Sequence, residues 1–263
     1  MSARLDHGAW VEGAELRVLA VPGIPDVGHG DDLAAVVLGA VAAAGMALQP
    51  HDVVVVTHKV VSKAEGRLVH LDSVTPSARA RELAARLRRQ DPRHVELVLR
   101  ESARVIRDRG ILICETPSGL VCANAGVDLS NAAGSEMATL LPLDPDASAM
   151  GLRHAWLDAA GGGPLGVVIT DTFGRPFRLH GVNVAIGVAG MPAHSTHTGT
   201  VDGTGYELLN SELATADEIA SAAELVMGKL DGVPVALVRG LRWSGQGTAA
   251  DLQRDAATDM FRR

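Results

Sequence analysis

Asp52-Val53-Val54-Val55-Val56-Thr57 runs without a break into His58-Lys59-Val60-Val61-Ser62-Lys63-Ala64-Glu65-Gly66-Arg67. Four consecutive valines predict a strand buried on both faces, since a strand with one wet face would alternate apolar and polar residues. What leaves that strand is polar and cationic. Thr57 and Ser62 carry hydroxyls, and Lys59, Lys63 and Arg67 carry positive charge. Phosphate recognition needs donors of this kind. The competing reading is an ordinary surface loop.

Outward from this strand, short β-type runs alternate with capped amphipathic helices. Residues 15–21 read as a strand. Asp31 and Asp32 open a helix in which Leu33, Val36, Val37, Ala40, Val41 and Ala44 recur at helical spacing. A helix over about 76–90 precedes a second one capped by Asp91, with Pro92 in its first turn and Gly110 at its end. Val95, Val98, Leu99, Val105 and Ile106 mark its apolar face. Residues 110–114 and 120–123 read as strands joined by the Pro117-Ser118-Gly119 turn. Asp144 and Pro145 start a helix running to about 160, and 167–170 is a further buried strand. Thr215 with Glu218 three residues on is a capping-box pattern that begins a helix ending near Gly228, and 233–238 reads as the last strand. Strands and helices do not alternate strictly enough for a doubly wound sheet. The expectation is an α+β fold with mixed and antiparallel sheets and flanking helices, one domain over 1–263, two-lobed in organisation. Residues 187–210 read as irregular, and so long a structureless stretch is seldom idle.

Composition narrows the function. The 263 residues are 47% hydrophobic with a net charge of −7, a globular balance that disfavours nucleic acid as a partner. No apolar run approaches the roughly 20 residues of a membrane span. Residues 1–14 contain no apolar signal core, so a cytoplasmic location is expected. Arg79, Arg81, Arg86, Arg88 and Arg89 are read as the solvated face of a helix, with anion binding as the alternative. Cys114 and Cys122 are too few for a four-cysteine zinc site and read as buried reduced thiols.

Several motifs fail on context. Gly161, Gly163 and Gly166 fit G-x-G-x-x-G but follow a helix and open a strand, the reverse of a dinucleotide site. Gly228-Lys229 imitates the end of a P-loop, yet Ala223 and Leu230 stand where Gly and Ser/Thr are required. His194 and His197 lack a third ligand at useful spacing.

Three more segments survive beside the 52–67 stretch. Ala123-Asn124-Ala125-Gly126-Val127-Asp128-Leu129-Ser130-Asn131 combines small residues, which let backbone approach a ligand, with carboxylate, hydroxyl and amide groups. Ile169-Thr170-Asp171-Thr172-Phe173-Gly174-Arg175-Pro176 delivers a carboxylate and hydroxyls at a strand end. Asp128 and Asp171 with these neighbours suit Mg²⁺ or Mn²⁺, which prefer oxygen ligands; turn-forming or capping roles are the alternative. Val21-Pro22-Gly23-Ile24-Pro25-Asp26-Val27 is rigid and turn-prone.

In this order the segments resemble the coenzyme F420-0:gamma-glutamyl ligase family. The matching stretches are PGIPDVGHGDDL, DVVVVTHKVVSKAEGR, LRESARVIRDRGILICETPSGLVCANAGVDLSN, LPLDPDASA, VVITDTFGRPFR, VAIGVAG, ATADEIASAAELVMGK and the terminal DMFRR. The resemblance implies a ligase domain without the flavin-binding C-terminal domain of some relatives. It also implies an intertwined homodimer with sites near the interface. The implied reaction uses GTP to phosphorylate a carboxylate of the deazaflavin precursor. L-glutamate then captures the acyl phosphate to give an amide, and later rounds build γ-glutamyl links. Asp128, Asp171, Thr172 and Glu212 match metal ligands for two Mg²⁺ or Mn²⁺ sites, with K⁺ as a further ion. Ile24, Pro25, Asp26, Val27, His58, Lys63 and Asn131 match GTP contacts. Asp128, Asp171 and Lys63 are the candidate catalytic set.

The chain departs from the family pattern in places. His58 replaces a usual Ser. Leu179-His180-Gly181-Val182-Asn183 replaces x-Gly-Gln-Thr-Asp, so Asn183 removes a carboxylate. Residues 194–205 lack Asp-Tyr-Arg-Gly, and Leu209-Asn210-Ser211 replaces Val-x-Thr. Two other readings therefore stand: a divergent ligase with a different carboxylate or amine substrate, and a catalytically silent nucleotide- or metal-binding protein.

Overall fold

The computed structural model describes residues 10–11, 15–87, 90–130, 134 and 136–260. In chain order the elements are β1 (Trp10–Val11), β2 (Arg17–Ala20), α1 (Leu33–Ala43), β3 (Val53–Thr57), α2 (His58–Ala64), β4 (Leu68–His70), α3 (Ala78–Arg86) and α4 (Pro92–Arg100). They continue with β5 (Arg104–Arg109), β6 (Ile111–Glu115), β7 (Val121–Ala123), β8 (Met137–Thr139), α5 (Pro145–Trp156), β9 (Gly166–Arg175) and β10 (Arg178–Ala189). The last are β11 (Ser195–Thr196), β12 (Glu212–Leu213), α6 (Thr215–Met227), β13 (Val235–Arg239) and β14 (Arg242–Trp243).

A five-stranded sheet of order β10-β9-β3-β13-β2 forms the centre. β3 runs parallel to β9, and the other neighbours pair antiparallel. This is the mixed α+β architecture expected. The four valines explain themselves here, because β3 is the middle strand. Val54 and Val56 pack on one face with Leu33, Val37, Val41 and Trp156 from α1 and α5. Val53 and Val55 pack on the other with Ile219, Ala220, Ala223 and Met227 from α6. A third cluster joins α3 and α4 to Leu112, Cys114, Val127 and Leu140. Cys114 and Cys122 face each other across β6 and β7 as free, buried thiols.

Three expectations and one competing reading need correction. The helix over 92–110 is broken: α4 ends at Arg100, and Val105 and Ile106 lie in β5, which pairs antiparallel with β6. Ser102 Oγ donates to the Val98 carbonyl at 2.5 Å, satisfying an acceptor at the helix end. Gly110, with φ +79°, turns the β5–β6 hairpin rather than ending a helix. Residues 58–64 leave β3 as a helix, not a loop, because Val60 and Val61 bury against the core. The capping box at Thr215 does not form. Ala214 is the N-cap, and the Thr215 hydroxyl donates to Ser195 Oγ and the Leu213 carbonyl. Finally, Gly187 to Ala189 belong to β10, and β11, inside the stretch read as irregular, pairs with β12 just beyond it. Arg86, at the end of α3, is paired with Asp108 and Glu82, a solvated role; Arg88 and Arg89 lie outside the described residues.

Candidate functional site

Strand direction gathers the site. β3 and β9 are parallel, with Thr57 opposite Thr170; β3 ends there, at one edge of the sheet, while β9 runs on to Arg175. His58 and Asp171 follow immediately. β13 enters at that edge, where Thr57 N–H donates to the Pro234 carbonyl at 2.9 Å. β2 leaves there, where Val21 N–H donates to the Val235 carbonyl at 3.0 Å. Residues beyond strand carboxyl ends are common ligand contacts in open sheets. A cavity of about 620 Å³ lies at this edge. Its walls include Ile24, Pro25, Asp26, Val27, His58, Lys63, Asp128, Asp171 and Thr172. One cavity thus brings together all but two of the residues expected to bind nucleotide or metal. Asn131 lies outside the described residues. Glu212 sits exposed on β12, paired with Thr196, and does not line the cavity.

Asp128 reaches the cavity through a tight turn. Asn124 and Ala125 adopt φ of +52° and +50°, and Asp128 then bridges Thr139 by two backbone hydrogen bonds of 3.0 and 2.8 Å. Gly126 serves packing, since a Cβ there would sit 2.5 Å from the Leu141 side chain. Lys59 Nζ lies 2.7 Å from Asp128 Oδ2 and donates to Ser130 Oγ at 2.8 Å and to its carbonyl at 2.9 Å. Burial pushes the Asp128 carboxyl up, but the Lys59 ammonium and the Ser130 N–H outweigh it and hold it below the ordinary carboxylate value.

Asp171 Oδ1 accepts from Thr172 N–H at 2.7 Å. His58, buried, brings Nε2 to 3.3 Å from the same oxygen, at an angle that makes no hydrogen bond, and its Nδ1 lies 3.4 Å from Ser62 Oγ. Thr172 Oγ1 donates to Asn183 Oδ1 at 2.8 Å, and Asn183 Nδ2 donates to Glu224 Oε2 at 2.8 Å. Lys63 forms no ion pair among the described residues.

Glu224 and Lys229 also line the cavity and were not anticipated. Gly228 ends α6 with φ +62°, as its helix-terminal reading requires, but that terminus points Lys229 at the site. Glu224 adjoins the apolar face formed by Ile219, Ala220, Ala223 and Met227. An acid at the margin of such a face was the available signal. Of the departures from the family pattern, His58 and Asn183 line the cavity, whereas His180 and residues 209–211 do not. Gly161 and Gly162, both with positive φ, turn the chain from α5 toward β9. Among the described residues no three His, Cys, Asp or Glu side chains converge as a metal cluster.

The cavity carries four carboxylates (Asp26, Asp128, Asp171, Glu224) and three ammonium groups (Lys59, Lys63, Lys229). Asp128, Asp171 and Thr172 offer oxygens alone, beside the buried His58 whose Nε2 lies 3.3 Å from Asp171 Oδ1. That set fits Mg²⁺ or Mn²⁺, which keep waters and substrate oxygens in their remaining positions, and it does not fit a structural zinc ion. No helix among the described residues is long and apolar enough to cross a membrane.

Residues 23–240 match the family model for F420-0:Gamma-glutamyl ligase. The chain is 41% identical over 252 residues to coenzyme F420:L-glutamate ligase of Methanothermobacter thermautotrophicus, covering 94% of this chain and 99% of that protein. It is 44% identical over 254 residues to the enzyme of the same name from Methanopyrus kandleri, covering 94% and 98%. It is 41% identical over 249 residues to that of Archaeoglobus fulgidus, covering 94% and 97%.

Proposed function

The chain belongs to the F420-0:gamma-glutamyl ligase family, and on that premise we propose that it joins L-glutamate to the deazaflavin precursor of coenzyme F420, using GTP and Mg²⁺ or Mn²⁺. The observation that carries the nucleotide-and-metal half is the charge of the cavity wall. Four carboxylates against three ammonium groups would repel a triphosphate, so divalent cations must supply the balance.

A carboxylate is a poor acylating agent. The precursor's carboxylate oxygen attacks the γ-phosphorus of GTP, GDP leaves, and an acyl phosphate forms. The glutamate amine attacks its carbonyl carbon, the amide bond forms, inorganic phosphate leaves with the C–O electron pair, and the nitrogen gives up its proton to the departing phosphate or to water. Asp128, Asp171 and Thr172 would hold divalent cations by oxygen, and these would supply neutralisation of the phosphate charge that builds during transfer. Lys63 faces the phosphates as a point charge, and Ile24 to Val27 with His58 form the wall for the rest of the nucleotide. Positioning accounts for the remaining acceleration, and no side chain need act as a general base.

Homodimerisation completes this reading. Phe177 and Leu179 at the β9–β10 tip are 90% and 81% exposed, and Tyr206, Leu209 and Leu213 are also exposed. Exposed apolar groups of this size mark association surfaces. Glu212, exposed beside Leu213, would serve as a metal ligand only to the site of a second copy of the chain. K⁺ remains a candidate further ion. A ligase with a different carboxylate or amine is the second reading, favoured by His58 and Asn183 on the cavity wall.

The test is incubation with F420 precursor, L-glutamate, GTP and Mn²⁺, followed by mass analysis. A product heavier by one glutamyl unit is expected. GDP release only with other carboxylates transfers the assignment to the second reading, and neither product nor GDP overturns both in favour of a silent binding protein.

A further inference from the structure

Thr172, Asn183 and Glu224 form a hydrogen-bond chain whose direction the chemistry dictates. A carboxylate only accepts, so Asn183 must turn its NH₂ toward Glu224 and its carbonyl oxygen toward Thr172. That carbonyl in turn only accepts, so the single proton of the Thr172 hydroxyl points at Asn183. The lone pairs of Thr172 Oγ1 are thereby left for the cavity.

The scaffold fixes each member. Thr172 and Asn183 are direct partners across β9 and β10. Asn183 is 5% exposed. Its backbone carbonyl accepts from Ser221 Oγ at 2.8 Å, and Ser221 is one turn before Glu224 on α6. Helix α6 therefore holds Asn183 at two points, and the side-chain amide has no second orientation that satisfies both neighbours.

We propose that Glu224 is a positioning residue. Acting through Asn183, it aims the Thr172 hydroxyl so that its lone pairs face a hard divalent cation, a role resting on the reading of Thr172 as a metal ligand. Asn183 and Glu224 are a matched pair. Asn183→Asp alone would set two carboxylates against each other at the position of the present 2.8 Å contact. Exchanging the groups, by Asn183→Asp together with Glu224→Gln, restores the pattern. The glutamine NH₂ then donates to one oxygen of the new aspartate, and Thr172 donates to the other. The loss of a carboxylate at position 183 is thus compensated by the acid on α6.

The experiment measures Mn²⁺ affinity of the nucleotide-free chain, by the electron spin resonance signal of free Mn²⁺, for wild type, Glu224→Gln, Asn183→Asp and the double variant. Melting temperature, kcat and the KM for GTP are followed in parallel. Glu224→Gln is expected to weaken Mn²⁺ binding about tenfold and to lower kcat more than it raises KM, in the range typical of groups that orient a metal ligand. Asn183→Asp should weaken it further, and the double variant should return to within about threefold of wild type. Unchanged Mn²⁺ affinity in Glu224→Gln overturns the proposal, as does a double variant no better than Asn183→Asp. Wild type that binds Mn²⁺ in the expected order of variants but makes no glutamyl product defeats the proposed substrate and leaves this role standing; wild type that binds no Mn²⁺ defeats this role.

Discussion

Lys59 holds Asp128 by a 2.7 Å contact in the wall of the cavity, and the two residues come from separate parts of the chain, α2 and the turn before β8. Lys59 is the cation that lets a partly buried carboxyl stay below the ordinary value. A carboxyl with a lowered folded pKa contributes stability above the unfolded value, near 4, and loses it as pH falls through the folded value. Lys59→Met removes the main opposing influence on the burial cost, so Asp128 moves up. The pH at which the metal-free chain is half unfolded by acid should rise relative to wild type. An acid titration followed by circular dichroism checks this, and an unchanged midpoint would show that Ser130 alone suffices.

Asp171→Asn tests the metal-binding reading. Asparagine keeps an Oδ1 able to accept from Thr172 N–H, the bond that sets the side chain, while removing the charge. Turnover should fall by at least about a hundredfold, the scale seen when one group stabilising transition-state charge is deleted. The melting temperature should stay within about 2 °C of wild type. A fully active variant removes Asp171 from the site.

Much of this was legible because it rests on local periodicity. The valines of β3 could only be a doubly buried strand, and the segments after β3 and β9 were chemically marked by their hydroxyls and charges. What escaped depends on tertiary contacts. Val105 and Ile106 continue the helical spacing of Val95 and Val98, and the sequence does not say that β6 will pair with them. Thr215 has the capping chemistry, yet Ser195 on β11 engages its hydroxyl. Glu224 reads as one more acid on a helix until β10 sets Asn183 beside it.

The thiols give a prediction by absence of reactivity. Burial first, then the nearby negative charge of Asp171, pushes the Cys122 thiol up to about 12, and burial raises Cys114 as well. The thiolate is the reactive form. Iodoacetamide near neutral pH should add nothing to the folded chain and should label both Cys114 and Cys122 in denaturant. Labelling of the native protein at Cys122 would mean that β7 opens readily away from β9.

Asp52 and Arg239 bind the start of β3 to the end of β13. Arg239 Nε and Nη2 each lie 2.7 Å from one Asp52 oxygen, Gln49 N–H donates to Asp52 Oδ2 at 2.8 Å, and Asp52 is fully buried. A bidentate pair of this kind stabilises little against an apolar substitute, but breaking it leaves a buried charge without a partner. Arg239→Met should therefore destabilise by about 3–5 kcal/mol, a fall in melting temperature on the order of 10 °C for a chain of this size. Asp52→Asn combined with Arg239→Met should cost less than Arg239→Met alone, since no charge is then stranded and the Gln49 bond can persist. Calorimetry on both variants decides it, because a double variant destabilised as much as Arg239→Met or more would mean that the loss does not come from a stranded charge.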